Sequence, residues 1–318
     1  MPQRPFGAMV RPMRRAVIWL LGTVAVAGFV FSCGARTPLL APDEIVTEAG
    51  VDATKKDAKD VSVQDVVPPI DVSKKDADRS DCPDADSTFI YVVTDTNELL
   101  SFYPPTASFK TVGLLNCPAT LNATPFSMAV DRKGAAYVVY SDGNLFKVST
   151  KDASCQKTAF LANQGDFSQF GMGFATIGVG PAEELFVAST ANSLLGKIDV
   201  SGTFKLTTVA PFNPSIDRAE LTGTGDGRLY AFFAPSTNDS AVAEVDKTTG
   251  KIIGEDDLLG TSQGDAWAFA FWGGYFYLFT DPGTQQVVRW DPATKQALVV
   301  GGYSAPIVGA GVSTCAPQ

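Results

Sequence analysis

Val130-Asp131-Arg132-Lys133-Gly134-Ala135-Ala136-Tyr137-Val138, continued by Asp142-Gly143-Asn144-Leu145-Phe146-Lys147-Val148, is the passage on which the fold turns. It reads as an apolar strand end, a tight turn on Gly134, a strand carrying Tyr137, an Asp-Gly turn and a further strand. The same order recurs along the chain. Ile90-Tyr91-Val92, Ala136-Tyr137-Val138, Leu185-Phe186-Val187, Leu229-Tyr230-Ala231 and Phe276-Tyr277-Leu278 place an aromatic inside a strand at steps of 46, 49, 44 and 47 residues. Five copies of one unit of that length mark a repeat architecture.

Each unit holds more than the aromatic strand. Upstream lies an apolar, small-residue strand (126–130, 174–177, 221–224, 268–271), and downstream come a third strand (144–148, 195–199, 242–246, 287–291) and a fourth (111–114, 157–160, 205–207, 251–253, 297–300). Four antiparallel strands per unit predict an all-β, five-bladed β-propeller. The copy beginning at Phe89 lacks its own first strand, while Ile307-Val308-Gly309-Ala310-Gly311-Val312 is a first strand with nothing behind it. The two halves complete one blade and cover both edges of the ring.

Upstream of the propeller, residues 1–33 carry four Arg and no acid, and residues 16–31 form an uncharged apolar run. This is a secretory signal layout, too short for a bilayer span of about 20 residues. Ser32-Cys33 at its end resembles the bacterial lipobox, which makes Cys33 the expected site of lipidation. The predicted domains are a signal peptide over 1–32, an acylated Cys33 with an acidic linker over 33–86, and the propeller over 87–318. Residues 34–86 contain no aromatic side chain, so they bury too little apolar surface to offset chain entropy.

Five Cys is an odd count, and lipidation of Cys33 leaves Cys82, Cys117, Cys155 and Cys315 in an oxidising compartment. The split blade places Cys315, just after its first strand, beside Cys82, just before its second. That predicts a Cys82–Cys315 disulfide and leaves Cys117–Cys155 by elimination. The second pair is less direct: Cys117 follows a fourth strand and Cys155 precedes one, positions that can fall on opposite faces.

The repeat motif around Val130–Val148 resembles the blades of NHL, gluconolactonase-type and WD-like propellers. Together with the lipobox, the acidic tether and the terminal Val312-Ser313-Thr314-Cys315-Ala316-Pro317, it is similar to bacterial outer-surface propeller lipoproteins of unknown function. That resemblance implies anchoring through lipid at the outer membrane or cell surface of a Gram-negative bacterium, and it implies no reaction. Gluconolactonase-type enzymes hold a divalent cation at the propeller axis, and here Glu220 is the best-placed carboxylate, with Ser127, Thr176 and Trp267 at the nearest register positions.

One carboxylate is poor provision for a hard cation that takes six or more oxygens, so no metal, cofactor or catalytic residue is assigned. The absence of His excludes Ser-His-Asp and Cys-His nucleophile pairs. Beyond residue 33 there are 21 basic and 34 acidic side chains, a balance that argues against nucleic acid. The recurring Asp199, Asp246 and Asp291 read as blade-corner residues, and Asp226 and Asp265 as turn residues. Trp267, Trp272, Trp290, Phe269, Phe271, Tyr275 and Phe276 read as packing between blades. The expected role is a membrane-tethered binding or scaffold module for a protein, peptide or glycan; the alternative is a carboxylate- or cation-dependent hydrolase or lyase. Specificity is expected where the repeat breaks, at residues 164–173, 211–218 and 235–240.

Overall fold

Short β-branched and aromatic runs between Gly, Asn and Asp turns favour antiparallel pairing, and pairing of that kind builds the whole described chain. The computed structural model describes Cys82 and residues 88–178, 180–235 and 239–318. The expected signal segment, Cys33 and nearly all of the linker lie outside these residues.

The first blade contains β1 (Ile90–Thr94), β2 (Glu98–Tyr103) and β3 (Ser108–Leu114), with a 3-10 turn at Pro104–Thr106. The second holds β4 (Pro125–Val130), β5 (Ala135–Tyr140), β6 (Leu145–Ser149) and β7 (Cys155–Lys157). The third holds β8 (Phe170–Thr176), β9 (Glu183–Ser189), β10 (Leu194–Ile198) and β11 (Leu206–Pro211). The fourth comprises β12 (Glu220–Gly223), β13 (Leu229–Phe233), β14 (Ser240–Val245) and β15 (Ile252–Leu258). The fifth comprises β16 (Trp267–Trp272), β17 (Tyr275–Thr280), β18 (Gln286–Asp291) and β19 (Gln296–Gly301). The last strand, β20 (Ile307–Val312), pairs antiparallel with β1, so the first sheet runs β20-β1-β2-β3.

The inner strands β4, β8, β12, β16 and β20 each lie against the next around a common axis, and β20 lies against both β16 and β4. The fold is therefore a five-bladed propeller closed by its carboxy-terminal strand. Antiparallel alternation gives the ring two unlike faces. The turns from first to second and from third to fourth strand lie on one, the turn face; the remaining connections lie on the other, the loop face.

The core sits between blades. Tyr230 and Phe232 of blade 4 bury against Phe269, Phe271, Phe276 and Trp290 of blade 5, and Phe102 of blade 1 meets Tyr277 and Phe279 of blade 5 edge-on. Each such ring contributes roughly 1.5–3 kcal/mol. The fifth-unit aromatics are core as expected, except that Trp267 and Tyr275 are half-buried at the two faces.

Two strand positions differ from expectation. The fourth strand of blade 2 forms at Cys155–Lys157, because the Thr158 hydroxyl donates to the Leu145 carbonyl (2.6 Å) and turns the chain inward to bury Phe160. In blade 3, Phe170–Thr176 is one long inner strand, so residues 170–173 belong to the frame and the insertion ends at 169.

Both disulfides form as expected, Cys82–Cys315 and Cys117–Cys155. Blade twist brings the second pair together. Across a strongly twisted sheet the outer strand leans until its end reaches the corner of the following blade. Gly113 of β3 lies beside Asp152 and Ala153, and Gly301 of β19 beside Ala107. After β11, the Asn213 N–H donates to the Gly250 carbonyl (3.0 Å). Cys117–Cys155 is a covalent form of this recurring contact.

Candidate functional site

The axis is where a propeller most often places chemistry, and the inner strands define what it holds. Glu220, the first residue of β12, is 5% exposed. Its Oε2 accepts a hydrogen bond from Ser127 Oγ of β4 (2.7 Å), and Ser127 Oγ in turn accepts one from the Met172 N–H of β8 (3.2 Å). Burial pushes the Glu220 carboxyl well above its usual range, against the opposing hydrogen bonds from Ser127 and Met172. The group is thus a buried clasp joining blades 2, 3 and 4.

The other register positions do not converge on it. Trp267 lies beneath the Arg218 guanidinium (5.1 Å), while Thr176 sits at the opposite end of its strand and donates to the carbonyls of Thr224 and Gly225, both at 2.8 Å. Among the described residues no three His, Cys, Asp or Glu stand together. Asp199 and Asp246 close their corners by accepting from Ser201 and Thr203 and from Thr248 and Thr249. Those bonds, led by the Ser201 and Thr248 hydroxyls, hold both carboxyls below the usual range. Asp226 binds the Thr224 hydroxyl and the Arg228 guanidinium, Nε to Oδ2 at 2.9 Å, as a turn residue. Asp265 is exposed, and its N–H donates to the Asp281 carbonyl (3.2 Å).

At the turn face the axis is crossed by residues 313–318, which follow β20 as a strap. Ser313 Oγ donates to the Arg132 carbonyl of blade 2 (3.4 Å), Thr314 Oγ1 to Glu183 Oε2 of blade 3 (2.9 Å), and the Gly273 N–H of blade 5 to the Pro317 carbonyl (2.8 Å). Glu183 Oε1 accepts the Arg132 N–H (2.6 Å). Residues 313–317 are buried, and Cys315 carries the bond to Cys82. Sequence reasoning missed Glu183; the signal was an acid at the start of a second strand where the other blades place Thr88, Gly134, Gly227 and Gly274.

Burial pushes Glu183 up to about 7, against lowering by the Arg132 N–H and the Thr314 hydroxyl. The folded state therefore holds this proton more firmly than an unfolded chain with a value of 4.5. Its stabilising contribution is complete below that value and falls as pH rises towards 7, by at most about 3 kcal/mol. Glu183→Gln keeps an acceptor for the Arg132 N–H and removes the titration. The variant is expected to melt increasingly above the parent between pH 5 and pH 8; parallel melting curves across that range would exclude this linkage.

The corners on the turn face differ between blades. Register aligns Tyr91, Tyr137, Phe186, Tyr230 and Tyr277, which stand opposite Ser101, Lys147, Lys197, Glu244 and Arg289. Two residues before each aromatic come Phe89, Ala135, Glu184, Arg228 and Tyr275. These two positions are diagonal neighbours across the strand pair. Blade 3 fills them with an ion pair, Lys197 Nζ to Glu184 Oε1 at 2.7 Å. Blade 4 places Arg228 and Glu244 there with opposite charge, and blade 5 stacks Arg289 over the Tyr275 ring (4.9 Å).

No protein-family model matches the chain, and no curated protein does. Among solved structures it is similar to selenomethionine-substituted virginiamycin B lyase from Staphylococcus aureus, at 12% identity over 67% of this chain and 69% of that one, with a TM-score of 0.38. A likeness of that size carries no argument about chemistry.

Proposed function

We propose that the chain is a lipid-tethered, extracytoplasmic propeller whose loop face binds a protein or peptide partner. The observation that supports this most is where the repeat breaks. The connections 159–169 and 212–219, and the described ends of the segment 235–240, all fall on the loop face of blades 3 and 4, opposite the face where Cys82 is fixed to Cys315. On that face Leu121, Leu161 and Leu259 stand at 91%, 73% and 80% exposure, each in a connection between blades. Three large apolar side chains at equivalent places in separate blades suit a protein or peptide better than a glycan.

The long connections are not free to be replaced whole. They bury Phe160, Phe167, Phe212 and Ile216 in the core, so point substitutions are the cleaner test. The triple variant Leu121→Asp, Leu161→Asp, Leu259→Asp is expected to melt within about 2 °C of the parent, since exposed positions contribute little. It should lose crosslinked capture of a defined envelope protein by at least tenfold. Undiminished capture would refute the loop-face reading.

The tether rests on Ser32-Cys33. Metabolic labelling with a fatty acid is expected to mark the wild-type chain and leave Cys33→Ala unlabelled, and equal labelling of both would end the lipoprotein reading. Gly34 behind the Cys supports delivery to the outer membrane, which membrane fractionation tests separately.

A further inference from the structure

The corner of blade 2 departs from its neighbours at one position. Lys147 takes the place of Lys197, while Ala135 takes the place of Glu184. The cation is kept and its carboxylate has become a methyl group. A concavity of about 200 Å3 opens there, lined by Lys133, Lys147 and Lys151 with Ser149, Thr150 and Gln156, and no carboxylate lines it. The blade 3 counterpart, about 330 Å3, is lined by Glu183, Glu184 and Asp199 besides Lys197 and Lys205. The groove between blades 4 and 5, about 540 Å3, has Asp226, Glu244, Glu255 and Asp256 against Arg228 and Lys295. On a chain of net charge −9, one corner in the series is purely cationic.

The walls of this corner are fixed before any ligand arrives. Asp131 Oδ1 accepts the N–H groups of Lys133 (3.0 Å) and Ala135 (2.8 Å), and Thr150 Oγ1 donates to the Gly134 carbonyl (2.6 Å). The Ala153 N–H donates to the Ser149 carbonyl (2.9 Å), and Cys155, beside Gln156, is tied to blade 1 through Cys117. Of the nearby acids, Asp152 accepts the Ser154 N–H (3.1 Å), and Asp131, held in its turn as just described, interacts electrostatically with Lys147 and Lys133 without forming an ion pair with either. Lys147 also lies over the Tyr137 ring (5.6 Å), which holds its stem along the strand. Among the described residues none of the three lysines forms an ion pair.

We propose that this corner binds a phosphate-bearing ligand with adjacent hydroxyls, either a sugar phosphate or a glycerol-phosphate headgroup. Three ammonium groups supply point charges for the phosphate oxyanion, which approaches −2 in a sugar monoester and is −1 in the headgroup diester. Ser149, Thr150 and Gln156 supply oxygens and an amide for hydroxyls beside it. The site lies on the turn face, where Cys82 is fixed by Cys315, and it goes beyond the loop-face reading: either can fail alone.

The test uses the purified full chain at low salt, titrated calorimetrically with glucose 6-phosphate and with glucose. In parallel it is sedimented with vesicles of phosphatidylglycerol in phosphatidylcholine and of phosphatidylcholine alone. Saturable binding is expected in at least one phosphate arm and in neither neutral control, and the arm that binds identifies the source. Ala135→Glu copies the blade 3 ion pair into blade 2, so it is expected to fold and to weaken binding about tenfold or more. Should that variant fail to fold, Lys147→Gln removes the charge without adding one and is expected to weaken binding severalfold; Lys197→Gln in blade 3 should leave it unchanged. No binding in either phosphate arm, equal binding of glucose, or affinity indifferent to the blade 2 substitutions would each overturn the proposal.

Discussion

Deleting residues 307–318 is expected to convert a soluble propeller into aggregated protein. The cut removes β20, which pairs with β1 from Ile90↔Val312 to Thr94↔Ile307 and lies against β4 and β16 at the axis. It exposes an unpaired edge on β1 and strips the inner faces of two further blades. It also removes the strap contacts to Arg132, Glu183 and Gly273 and leaves Cys82 without Cys315. The loss is comparable with the whole stability of a domain, roughly 5–15 kcal/mol. Size-exclusion chromatography and thermal melting decide the matter. A monomeric deletion that melts with the parent would mean that the ring is not held by this closure.

Gly223→Ala is expected to cost about 3 kcal/mol or more for the addition of one carbon. A Cβ at Gly223 would stand 2.1 Å from the Phe174 carbonyl oxygen and 2.4 Å from Ala175 Cβ. Both obstacles belong to the β8 frame and cannot swing aside as a long side chain would. Gly171→Ala meets the same obstruction at the Ala219 oxygen, also at 2.1 Å. Gly254→Ala on the exposed outer strand β15, where nothing lies within 4 Å, is the control and should be neutral within about 0.5 kcal/mol. Urea midpoints compare the three. If Gly223→Ala tracked Gly254→Ala, the inner strands would not be in the close contact described.

The frame could be read from the chain because its signals are local. Every aromatic of the register, Tyr91, Tyr137, Phe186, Tyr230 and Tyr277, lies in the second strand of its blade, and the closing strand forms at Ile307–Val312 as the split repeat requires. The misreadings have physical causes. Residues 164–173 read as one insertion, but it stops at 169: Gly171 and Gly173 pack β8 closely against β12 at the axis, the inner-strand packing that Gly171-Met172-Gly173 itself suggests. Contacts across the ring have no local sign: the Ser127–Glu220 bond joins residues 93 apart and Glu183–Thr314 joins residues 131 apart. Sequence reasoning picked out Glu220 for its place in the register but could not tell a ligand from a clasp. The blade 2 corner was invisible for another reason. Ala135 is informative only beside Glu184, and that comparison needs the strand register to be known.

The Cys82–Cys315 bond also determines how the molecule would carry a mechanical load. Tension drawn along the chain preceding Cys82 passes through sulfur into Cys315, three residues behind β20, as well as onward towards β1. The two strands of the ring's seam are then pulled from the same end, since β1 begins and β20 finishes on the turn face. Loaded together, they would resist by shear along their length instead of unzipping from each other pair by pair. Reduction of that single bond would leave β1 to take the tension alone, and the seam would become the weakest line of the ring.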